Sequence, residues 1–567
     1  MEQGLNQENN FISLKPREYP VLPREITYEP IFISKLPGMT IAQYIEQCME
    51  RYANRIAIKM GSHQFTYQTV YNEASKVAST ILEENFHENE TVALLFNHGL
   101  DMIMGIIGAF LSGKTFVCLD TATPVNKLHE IIKDANIKVL IVGENMESLL
   151  DDLHFSEEDH ISVRFYKQIK QKKDGVNYKR PHIEEQDSTL LLYTSGSSGK
   201  PKGVIQTHRN ILFHIAAYIN SLSINQNDRV ALLTNYTHAV AFIDLLSTFF
   251  TGAILLPYNV RSSSEEVKLH TWLKDEKITV YHSVPTLYRY VMNNLKQDEV
   301  LNDLRLIVLG GESVNVKDWE LYRLHCKESC VFVNFYGASE VLTASFCYLD
   351  HHIAPDKNLI PIGRFVEGVN VTLKNRDELT SENQVGEIVY ESEFITPGYW
   401  NSTHLPVEAT PFECNGSVRI FQSGDMGRLL PDGQMEYLGR NDNMVKIKGH
   451  RVELAEIEAT ILSLFPIDKC LIVVELTKQD EKTLVLYYTT NNKEKLDEKA
   501  SFHILRKSFP TYMIPSQLIY IEEFPLTPNG KIDRNKILQL AKVSEDNIQQ
   551  PFNEIQKGLA AIWTSLL

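Results

Sequence analysis

The sequence predicts an α/β protein with a large N-terminal core of αβ-layered subdomains, mostly parallel sheets, and a small mobile C-terminal α+β domain. Short apolar strands alternate with amphipathic helices from Ile41 onward, a pattern typical of βαβ units. The 567 residues are too many for one hydrophobic core, and 43% hydrophobic with 23% charged residues is typical of a globular protein. A charged, glycine-bounded turn at Gly439–Gly449 separates the alternating pattern from a shorter α+β stretch.

The alternating elements follow one another closely in the first part of the chain. They are predicted at helix Ile41–Tyr52, strand Ala57–Met60, helix Val70–Glu84, strand Val92–Phe96, helix Leu100–Leu111, strand Thr115–Leu119, helix Asn126–Ala135 and strand Lys138–Val142. Later strands are predicted at Val230–Leu233, Val280–His282, Leu306–Leu309 and Val331–Phe335. We expect a proline-rich leader at 1–38, a core at 39–441, and a C-terminal lid domain at 442–545 that opens with helix Leu454–Leu464.

Composition excludes several classes of protein. The 56 basic and 72 acidic residues give a net charge of −16, which argues against a general nucleic-acid-binding surface. Seven scattered cysteines lack the density of a disulfide scaffold and fit a reducing cytoplasm. The N-terminus has no signal-peptide pattern, and the longest apolar run, Met102–Leu111, is far shorter than the roughly 20 residues that span a bilayer. We expect a soluble, cytoplasmic protein with neither a nucleic-acid nor a membrane partner.

The most informative stretch is Leu190–Gly203, LLLYTSGSSGKPKG. An apolar strand leads into a Thr/Ser/Gly loop with two lysines, and Thr207 is the expected N-cap of a following amphipathic helix. Glycines let backbone N–H groups gather round a phosphate, while hydroxyls and lysines add donors and charge. A P-loop is excluded because only two residues separate Gly196 from Gly199 and a proline follows the first lysine. A flexible Ser/Gly linker needs no flanking strand and helix.

Nearly letter for letter, this stretch resembles the phosphate loop of the adenylate-forming superfamily: acyl-CoA ligases, luciferases and the adenylation domains of nonribosomal peptide synthetases. Four later stretches also resemble that family, in order: NFYGASE (Asn334–Glu340), FQSGD (Phe421–Asp425), GRND and PNGKIDR (Pro528–Arg534). The resemblance covers residues 40–567 and implies that ATP and Mg²⁺ are used. It implies nucleotide contacts at Thr194, Ser195, Gly196, Ser197, Ser198, Gly199, Lys202, Gly310, Asn334, Tyr336, Gly337, Ser339, Asp425, Arg440 and Lys531.

The residue types suit the roles that the resemblance implies. Asn and Tyr at a strand end can present an amide and an aromatic face to adenine, and Ser339 can contact phosphate. Glu340 is the expected Mg²⁺ ligand because that ion prefers carboxylate oxygens. Asp425 is expected to accept both ribose hydroxyls, with Arg440 as a second ribose-side contact.

Three residues are expected to act in catalysis: Thr194, Glu340 and Lys531. Lys531 stands on a turn, where its ammonium can neutralise charge on the α-phosphate and the carboxylate as pyrophosphate leaves. Asp442, between two asparagines, is the expected hinge. The loop Gly449–Glu453 (GHRVE) resembles the family's segment for the thioester half-reaction.

The acid pocket is predicted by counting from the same motifs. In amino-acid-activating relatives an aspartate of the pocket pairs with the substrate's ammonium. Counted thirteen positions upstream of Gly252, the position of that aspartate is occupied here by Ala239. Asp244 is nearby but does not align with that position. An ammonium buried beside Ala239 would be unpaired and costly. We therefore expect an acid without a free α-amine: an α-hydroxy, aryl or branched acyl acid. The predicted pocket residues are Ala239, Val240, Ile243, His282, Ile307, Leu309, Phe335, Thr343 and Ala344.

The last stretch suggests the acceptor. Residues 546–567 are expected to be a linker and a helix, Phe552–Leu567, that resembles the opening helix of a truncated peptidyl carrier domain. The leading hypothesis is an adenylation domain that makes an acyl-AMP and loads the acyl group on a carrier domain's phosphopantetheine, in cis or in trans. Adenylation of a hydrophobic α-amino acid, an acyl- or aryl-CoA ligase, a luciferase-type oxidation and an inactive nucleotide-binding scaffold remain alternatives.

Overall fold

A computed structural model describes residues 11–14, 29–525 and 536–537. Within these ranges it leaves out 32–33, 35, 88, 156–159, 173–177, 195–200, 262–267, 353–359, 375–384, 402–410, 441–443, 478–480 and 491–493. In the part of the chain that is described, no helix combines the length and apolar character needed to cross a membrane.

The strands of the described residues are, in chain order, β1 (Phe11–Leu14), β2 (Ile56–Met60), β3 (His63–Thr66), β4 (Thr91–Leu95), β5 (Phe116–Leu119), β6 (Ile137–Val142), β7 (Ser162–Phe165), β8 (Ser188–Thr194), β9 (Lys202–Thr207), β10 (Arg229–Leu232), β11 (Ile254–Pro257), β12 (Val280–Ser283), β13 (Leu306–Gly310), β14 (Val331–Tyr336), β15 (Ser345–Leu349), β16 (Arg364–Phe365), β17 (Asn370–Lys374), β18 (Val385–Ser392), β19 (Phe412–Asn415), β20 (Val418–Leu429), β21 (Met435–Arg440), β22 (Met444–Ile447), β23 (His450–Glu453), β24 (Lys469–Leu476), β25 (Lys482–Thr489) and β26 (Gln517–Tyr520).

The α-helices are α1 (Ile41–Tyr52), α2 (Tyr67–Leu82), α3 (Leu100–Ser112), α4 (Val125–Asp134), α5 (Glu147–Leu153), α6 (Tyr166–Lys170), α7 (His208–Leu222), α8 (Ala239–Thr251), α9 (Leu269–Asp275), α10 (Pro285–Asn293), α11 (Val316–His325), α12 (Leu454–Leu464) and α13 (Glu498–Ser508). A short 3₁₀ helix follows at Thr511–Met513. Each helix predicted in the N-terminal part is present within a few residues of its expected bounds.

Two largely parallel sheets confirm the predicted fold class. One has the strand order β7-β6-β4-β5-β8-β9 and is parallel except for the pair β8–β9. The other has the order β16-β15-β14-β13-β12-β10-β11-β2-β3 and is parallel from β14 to β2. Both sheets are covered on two faces, so their strands are almost continuously apolar and buried.

A third sheet is antiparallel, with the order β1-β17-β18-β20-β19, and β21 also pairs with β20. Its outermost strand, Phe11–Leu14, comes from the predicted leader and pairs with Asn370–Lys374. Part of the predicted leader is therefore paired in a sheet, because β17 has a free edge whose N–H and C=O groups accept another strand.

The chain divides into two compact units. The first contains the residues up to Glu453 together with Ser508–Tyr512, and the second contains Leu454–Lys507 and the residues from Met513 onward. In the second unit β25 pairs antiparallel with β24 and parallel with β26. The predicted boundary and the hinge Asp442 lie outside the described residues. The hairpin β22–β23, which follows them, belongs to the first unit.

Candidate active site

The two strands that flank the predicted phosphate loop pair with each other, and this pair is called the phosphate hairpin below. Strand β8 ends at Thr194, which pairs with Lys202 at the start of the antiparallel β9. Strand β9, which the sequence did not predict, lies between the loop and helix α7, whose predicted N-cap Thr207 is confirmed. The N-terminus of that helix is closed by its own capping box, in which Thr207 and Asn210 bond reciprocally.

Loop residues Ser195, Gly196, Ser197, Ser198 and Gly199 lie outside the described residues, as does Lys531. The strand that follows the loop is well anchored. The backbone N–H of Trp400 donates to the carbonyl of Gly203 at 2.7 Å, and the side-chain amide of Gln206 donates to the carbonyl of Ser339 at 2.6 Å. These contacts hold the phosphate hairpin against the NFYGASE segment.

Glu340 lies beside this hairpin and is 1% exposed. The hydroxyl of Tyr399 donates to its Oε1 at 3.1 Å, and the Lys202 ammonium lies 5.4 Å from the centre of the Tyr399 ring. The backbone carbonyl of Glu340 accepts from Thr396 at 3.0 Å. Tyr399 thus connects the loop lysine with the predicted metal ligand. Sequence reasoning did not find Tyr399, because GYW (398–400) has no pattern of its own.

The donor chemistry at Glu340 fits Mg²⁺. Mg²⁺ in nucleotide sites is held by one or two carboxylates plus substrate phosphates and water, so a single buried carboxylate next to a phosphate hairpin is sufficient. Among the described residues there is no group of three or more His, Cys, Asp or Glu that could hold a metal alone.

Asp425 forms the second predicted contact region. It is 3% exposed; Tyr336 donates its hydroxyl to Oδ2, and Arg440 Nη1 lies 2.8 Å from Oδ1. Burial and the neighbouring Asp425 carboxylate raise the pKa of Tyr336 well above its usual value, so its hydroxyl stays a donor. The structure brings together three residues that the sequence placed in separate motifs. Both carboxylate oxygens of Asp425 therefore accept a hydrogen bond from the protein, which fixes the direction of their remaining lone pairs.

Three other predicted nucleotide contacts have structural roles in the fold. Asn334 donates its amide nitrogen to the carbonyls of Ile360 and Pro361, at 3.1 and 2.8 Å, so that nitrogen is occupied by the backbone. A Cβ at Gly310 would lie 2.8 Å from the carbonyl oxygen of Phe335, and the close approach of β14 accounts for this glycine. A Cβ at Gly337 would lie 1.9 Å from the Leu342 oxygen.

The predicted acid pocket is assembled around the start of α8. His238 is the N-cap of this helix, Ala239 and Val240 form its half-buried first turn, and Ile243 is buried one turn further on. The ring of His282 lies perpendicular to Phe335 with centroids 5.5 Å apart. Predicted pocket residues Ile243, Phe335 and Ala344 belong to one buried apolar cluster, against which Ala239 and Val240 pack.

Ile307 and Leu309 are not brought together with these residues, and their assignment to the pocket is wrong by one position. Both belong to a second apolar cluster on the opposite face of the sheet, with Tyr281 and Phe332. Strand side chains alternate between faces, so a one-residue error in counting moves every side chain to the wrong side. Val308, which is in register with His282, belongs to the same cluster as Phe335. Val308 and Gly310 are therefore the residues of β13 on the pocket face.

The polar predicted residues on this side are also buried. His214 lies between the carbonyls of Thr343 and Phe394, 3.1 Å from each, and burial lowers its pKa to about 4. Thr343 Oγ1 is buried without a hydrogen-bond partner in the described part of the chain. His282 Nδ1 lies 2.8 Å from Asp244 Oδ1 and 3.1 Å from the hydroxyl of Tyr218. Sequence reasoning placed Asp244 out of register and missed Tyr218.

Hairpin β22–β23 reaches the start of α8. Its turn, Lys448-Gly449, has positive φ angles of 47° and 80°, as a two-residue hairpin turn requires. The N–H of Gly449 donates to Glu312 at 2.9 Å. His450, the next residue, lies 4.5 Å from His238 between ring centroids and stacks on Tyr512 at 3.6 Å. The predicted thioester segment is therefore in contact with the N-cap of the pocket helix.

Comparison with known sequences identifies the family to which most of this chain belongs. Residues 45–400 match the family described as AMP-binding enzyme. The chain is 28% identical over 542 residues to gramicidin S synthase 1 of Brevibacillus brevis, covering 93% of this chain and 47% of that protein. It is 25% identical over 544 residues to tyrocidine synthase 1 of Brevibacillus parabrevis, covering 94% and 48%. The chain thus spans about half the length of these two relatives.

Solved structures share the fold. The o-succinylbenzoate CoA synthetase MenE of Bacillus subtilis has a TM-score of 0.75 at 19% identity and covers 87% of this chain and 97% of its own. PA1221, a nonribosomal peptide synthetase protein with adenylation and PCP domains, has a TM-score of 0.75 at 19% identity, covering 94% and 88%. The Vibrio cholerae adenylation domain AlmE, solved with glycyl-adenosine-5′-phosphate, has a TM-score of 0.75 at 19% identity, covering 92% and 100%.

Proposed function

The chain belongs to the AMP-binding enzyme family of adenylate-forming ligases, and from that premise we propose that it activates a carboxylic acid with ATP and passes the acyl group to the phosphopantetheine thiol of a carrier domain. The main support is the convergence of three separated motifs. The phosphate hairpin, the NFYGASE segment and the FQSGD segment are joined through Gln206–Ser339, Tyr399–Glu340 and Tyr336–Asp425. ATP needs phosphate, metal and ribose contacts at once, and this arrangement provides residue types for all three.

In the first half-reaction a carboxylate oxygen of the acid attacks the α-phosphorus, and the bond to the bridging oxygen of pyrophosphate breaks. Two anions repel on approach, so the residues must screen charge and hold an in-line geometry. Lys202 and the hairpin loop contact the phosphates, and Asp425 with Arg440 orients the ribose. Glu340 would hold Mg²⁺, which supplies charge neutralisation on the phosphate oxygens. Lys531 is proposed to neutralise charge at the reacting centre.

In the second half-reaction the carrier thiol attacks the acyl carbon, the bond to the AMP oxygen breaks, and AMP leaves. The contact between His450 and His238 supports a role for hairpin β22–β23 on the acid side during this step. The relatives named synthases for gramicidin S and tyrocidine favour a carrier domain as acceptor, in cis or in trans. The resemblance of Phe552–Leu567 to a carrier helix points the same way. Those residues lie outside the described part.

The proposed acid lacks a free α-amine. Ala239 stands where an ammonium would need a carboxylate, and a buried ammonium without one is costly. Asp244 has its Oδ1 bonded to His282 and lies one turn further along α8 than Val240. An α-hydroxy, aryl or branched acyl acid needs no such partner.

The test is acid-dependent ATP–pyrophosphate exchange with matched pairs: leucine against its α-hydroxy analogue, phenylalanine against phenyllactate, and benzoate. We expect exchange with the acids that lack an amine. Exchange with leucine or phenylalanine alone would retain adenylation but reject the Ala239 argument. Efficient thioester formation with free CoA would favour a CoA ligase. No exchange with any acid would contradict the proposed function and favour an inactive scaffold.

A further inference from the structure

A polar cluster of Asp244, His282 and Tyr218 lies within the otherwise apolar wall of the proposed pocket. All three side chains are at most 1% exposed. Asp244 Oδ1 lies 2.8 Å from His282 Nδ1, and the Tyr218 hydroxyl lies 3.1 Å from the same nitrogen. Burial raises the pKa of Asp244, and the neighbouring His282 and Tyr218 act against this rise. The carboxylate is therefore held by the imidazole N–H, which the phenol oxygen also approaches.

This arrangement decides which His282 nitrogen can meet a ligand. Because Nδ1 donates its proton to Asp244, the neutral ring has its lone pair on Nε2. Nε2 makes no hydrogen bond to any described residue, and Asp244 Oδ2 is buried without a partner among those residues. Asp244 Oδ2 is thus a buried acceptor without a partner, and the Nε2 lone pair is unused within the described part of the chain.

The cluster is placed where the far end of the acid would lie. Asp244 stands one helical turn beyond Val240 and next to Ile243 on α8. The His282 ring is in register with Val308 on the neighbouring strand and perpendicular to Phe335. Ile243, Val308 and Phe335 are apolar and offer a polar ligand group no hydrogen bond.

Stability alone is a poor reason for such a cluster. Replacing a buried charged pair by apolar residues of similar volume is often neutral or stabilising, since the charges must be desolvated. Buried acceptors that remain unused favour a complementary donor, and an acid that is purely hydrocarbon at its far end supplies none.

We propose that His282 Nε2 accepts a hydrogen bond from a hydroxyl or amide N–H at the far end of the activated acid. Asp244 and Tyr218 are positioning residues that fix the tautomer and the orientation of the ring. This inference rests on the proposed function and narrows its substrate class to acids with a donor group remote from the carboxylate.

The experiment measures ATP–pyrophosphate exchange for pairs of acids that differ only by a hydroxyl in place of a methyl group. The pairs are 4-hydroxyphenyllactate with 4-methylphenyllactate, 4-hydroxybenzoate with 4-methylbenzoate, and 5-hydroxypentanoate with hexanoate. Tyrosine with 4-methylphenylalanine is added, so that the preference can be measured even if the enzyme requires an α-amine. We expect the wild-type kcat/KM to favour the hydroxyl member by about tenfold or more.

The variants separate recognition from packing. His282→Leu should abolish the preference by raising KM for the hydroxyl acid, and His282→Gln, which keeps an acceptor, should restore part of it. Asp244→Asn and Tyr218→Phe should reduce the preference, measured as the ratio of kcat/KM between the hydroxyl acid and the methyl acid. Tyr281→Phe is the matched control. Tyr281 is as buried as Tyr218 and is next to His282 on β12, but its side chain belongs to the apolar cluster on the other face of the sheet.

A wild-type enzyme that prefers the methyl acids, or a preference that survives His282→Leu, would overturn the inference while leaving adenylation intact. The inference would also be overturned if His282→Gln lost the hydroxyl preference as fully as His282→Leu. It would be overturned as well if Tyr281→Phe reduced the preference as much as Tyr218→Phe, because packing alone would then explain the result. No exchange with any of the acids would overturn the proposed function and this inference together.

Discussion

The nucleotide side and the acid side of this protein are both built from strand ends of the first unit, but they differ in how their residues are held. On the nucleotide side, side chains from distant motifs bond to one another directly, as Tyr336 and Arg440 do with Asp425. On the acid side, most residues are single apolar side chains in one cluster.

The difference shows why the two sides are unequally predictable. A nucleotide contact depends on residue type and on glycine-containing loops, which a local motif specifies. An acid contact depends on which face of a strand or helix a residue occupies, and apolar residues on both faces look alike in sequence. Motifs therefore located Asp425 and Arg440 together, while counting placed Ile307 and Leu309 on the wrong face of β13.

The largest expected effect on activity concerns Lys531, which lies outside the described residues. Lys531→Ala should lower acid-dependent pyrophosphate exchange by about 100- to 1,000-fold, the usual loss when one charge-stabilising donor is removed. Transfer from a supplied acyl-AMP to a carrier should be nearly unchanged. Exchange and transfer are measured separately, with Lys536→Ala as the neighbouring control. Unchanged exchange would mean that the nucleotide side works without this lysine.

Asp425→Asn tests whether bonded carboxylate oxygens recognise the ribose. The amide keeps the shape of the side chain but offers a single acceptor oxygen, so KM for ATP should rise by about ten- to a hundredfold with little change in the ranking of acids. Steady-state exchange at varied ATP measures this, and Asp432→Asn on an exposed turn is the control. A changed ranking of the acids would mean that Asp425 also influences acid recognition, so that the nucleotide side and the acid side are not independent.

The His238–His450 contact should make the acid side sensitive to pH. Burial lowers the pKa of His238 to about 4, with Asp120 acting against the shift and Arg261 adding to it. Burial, the His238 imidazole and Arg261 together lower the pKa of His450 to about 2. Groups with a lowered folded-state pKa contribute stability above the unfolded value of about 6.5, and this stability is lost as the pH falls below it. Between pH 7 and 5, His450 should therefore account for a loss of about 2 kcal/mol.

Denaturant unfolding at both pH values checks this. His450→Phe keeps a ring against Tyr512 and should remove that part of the pH dependence, whereas His63→Phe, at an exposed position, should not. Equal pH dependence in wild type and His450→Phe would show that the contact does not influence stability.

The smallest effect distinguishes the two faces of β13. Val308→Ile adds one methylene on the pocket face and should change the kcat/KM ratio between phenyllactate and a branched acyl acid by about tenfold. Ile307→Val removes one methylene on the other face. It should leave that ratio unchanged and lower the free energy of unfolding by about 0.5–1.5 kcal/mol. The opposite pattern would restore the original assignment of Ile307.

The amino-acid sequence alone was sufficient for the fold class and for most strands and helices of the parallel sheets that it predicted, and its motifs name Glu340, Asp425 and Arg440 as nucleotide residues, which stays a prediction. Hydrophobic periodicity reports burial directly, and the motifs place donors and acceptors within a few residues of one another. Strand β9 was missed because the lysine and glycine at its start resemble a continuing loop.

Tertiary structure decided the rest. The bond from Tyr399 to Glu340 joins residues 59 positions apart, and that from His282 to Asp244 joins residues 38 apart. Such pairs leave no periodic trace in a single sequence, because each partner is compatible with many neighbours until the strands and helices pack. Which face of β13 meets the acid depends on a register that a shift of one residue reverses.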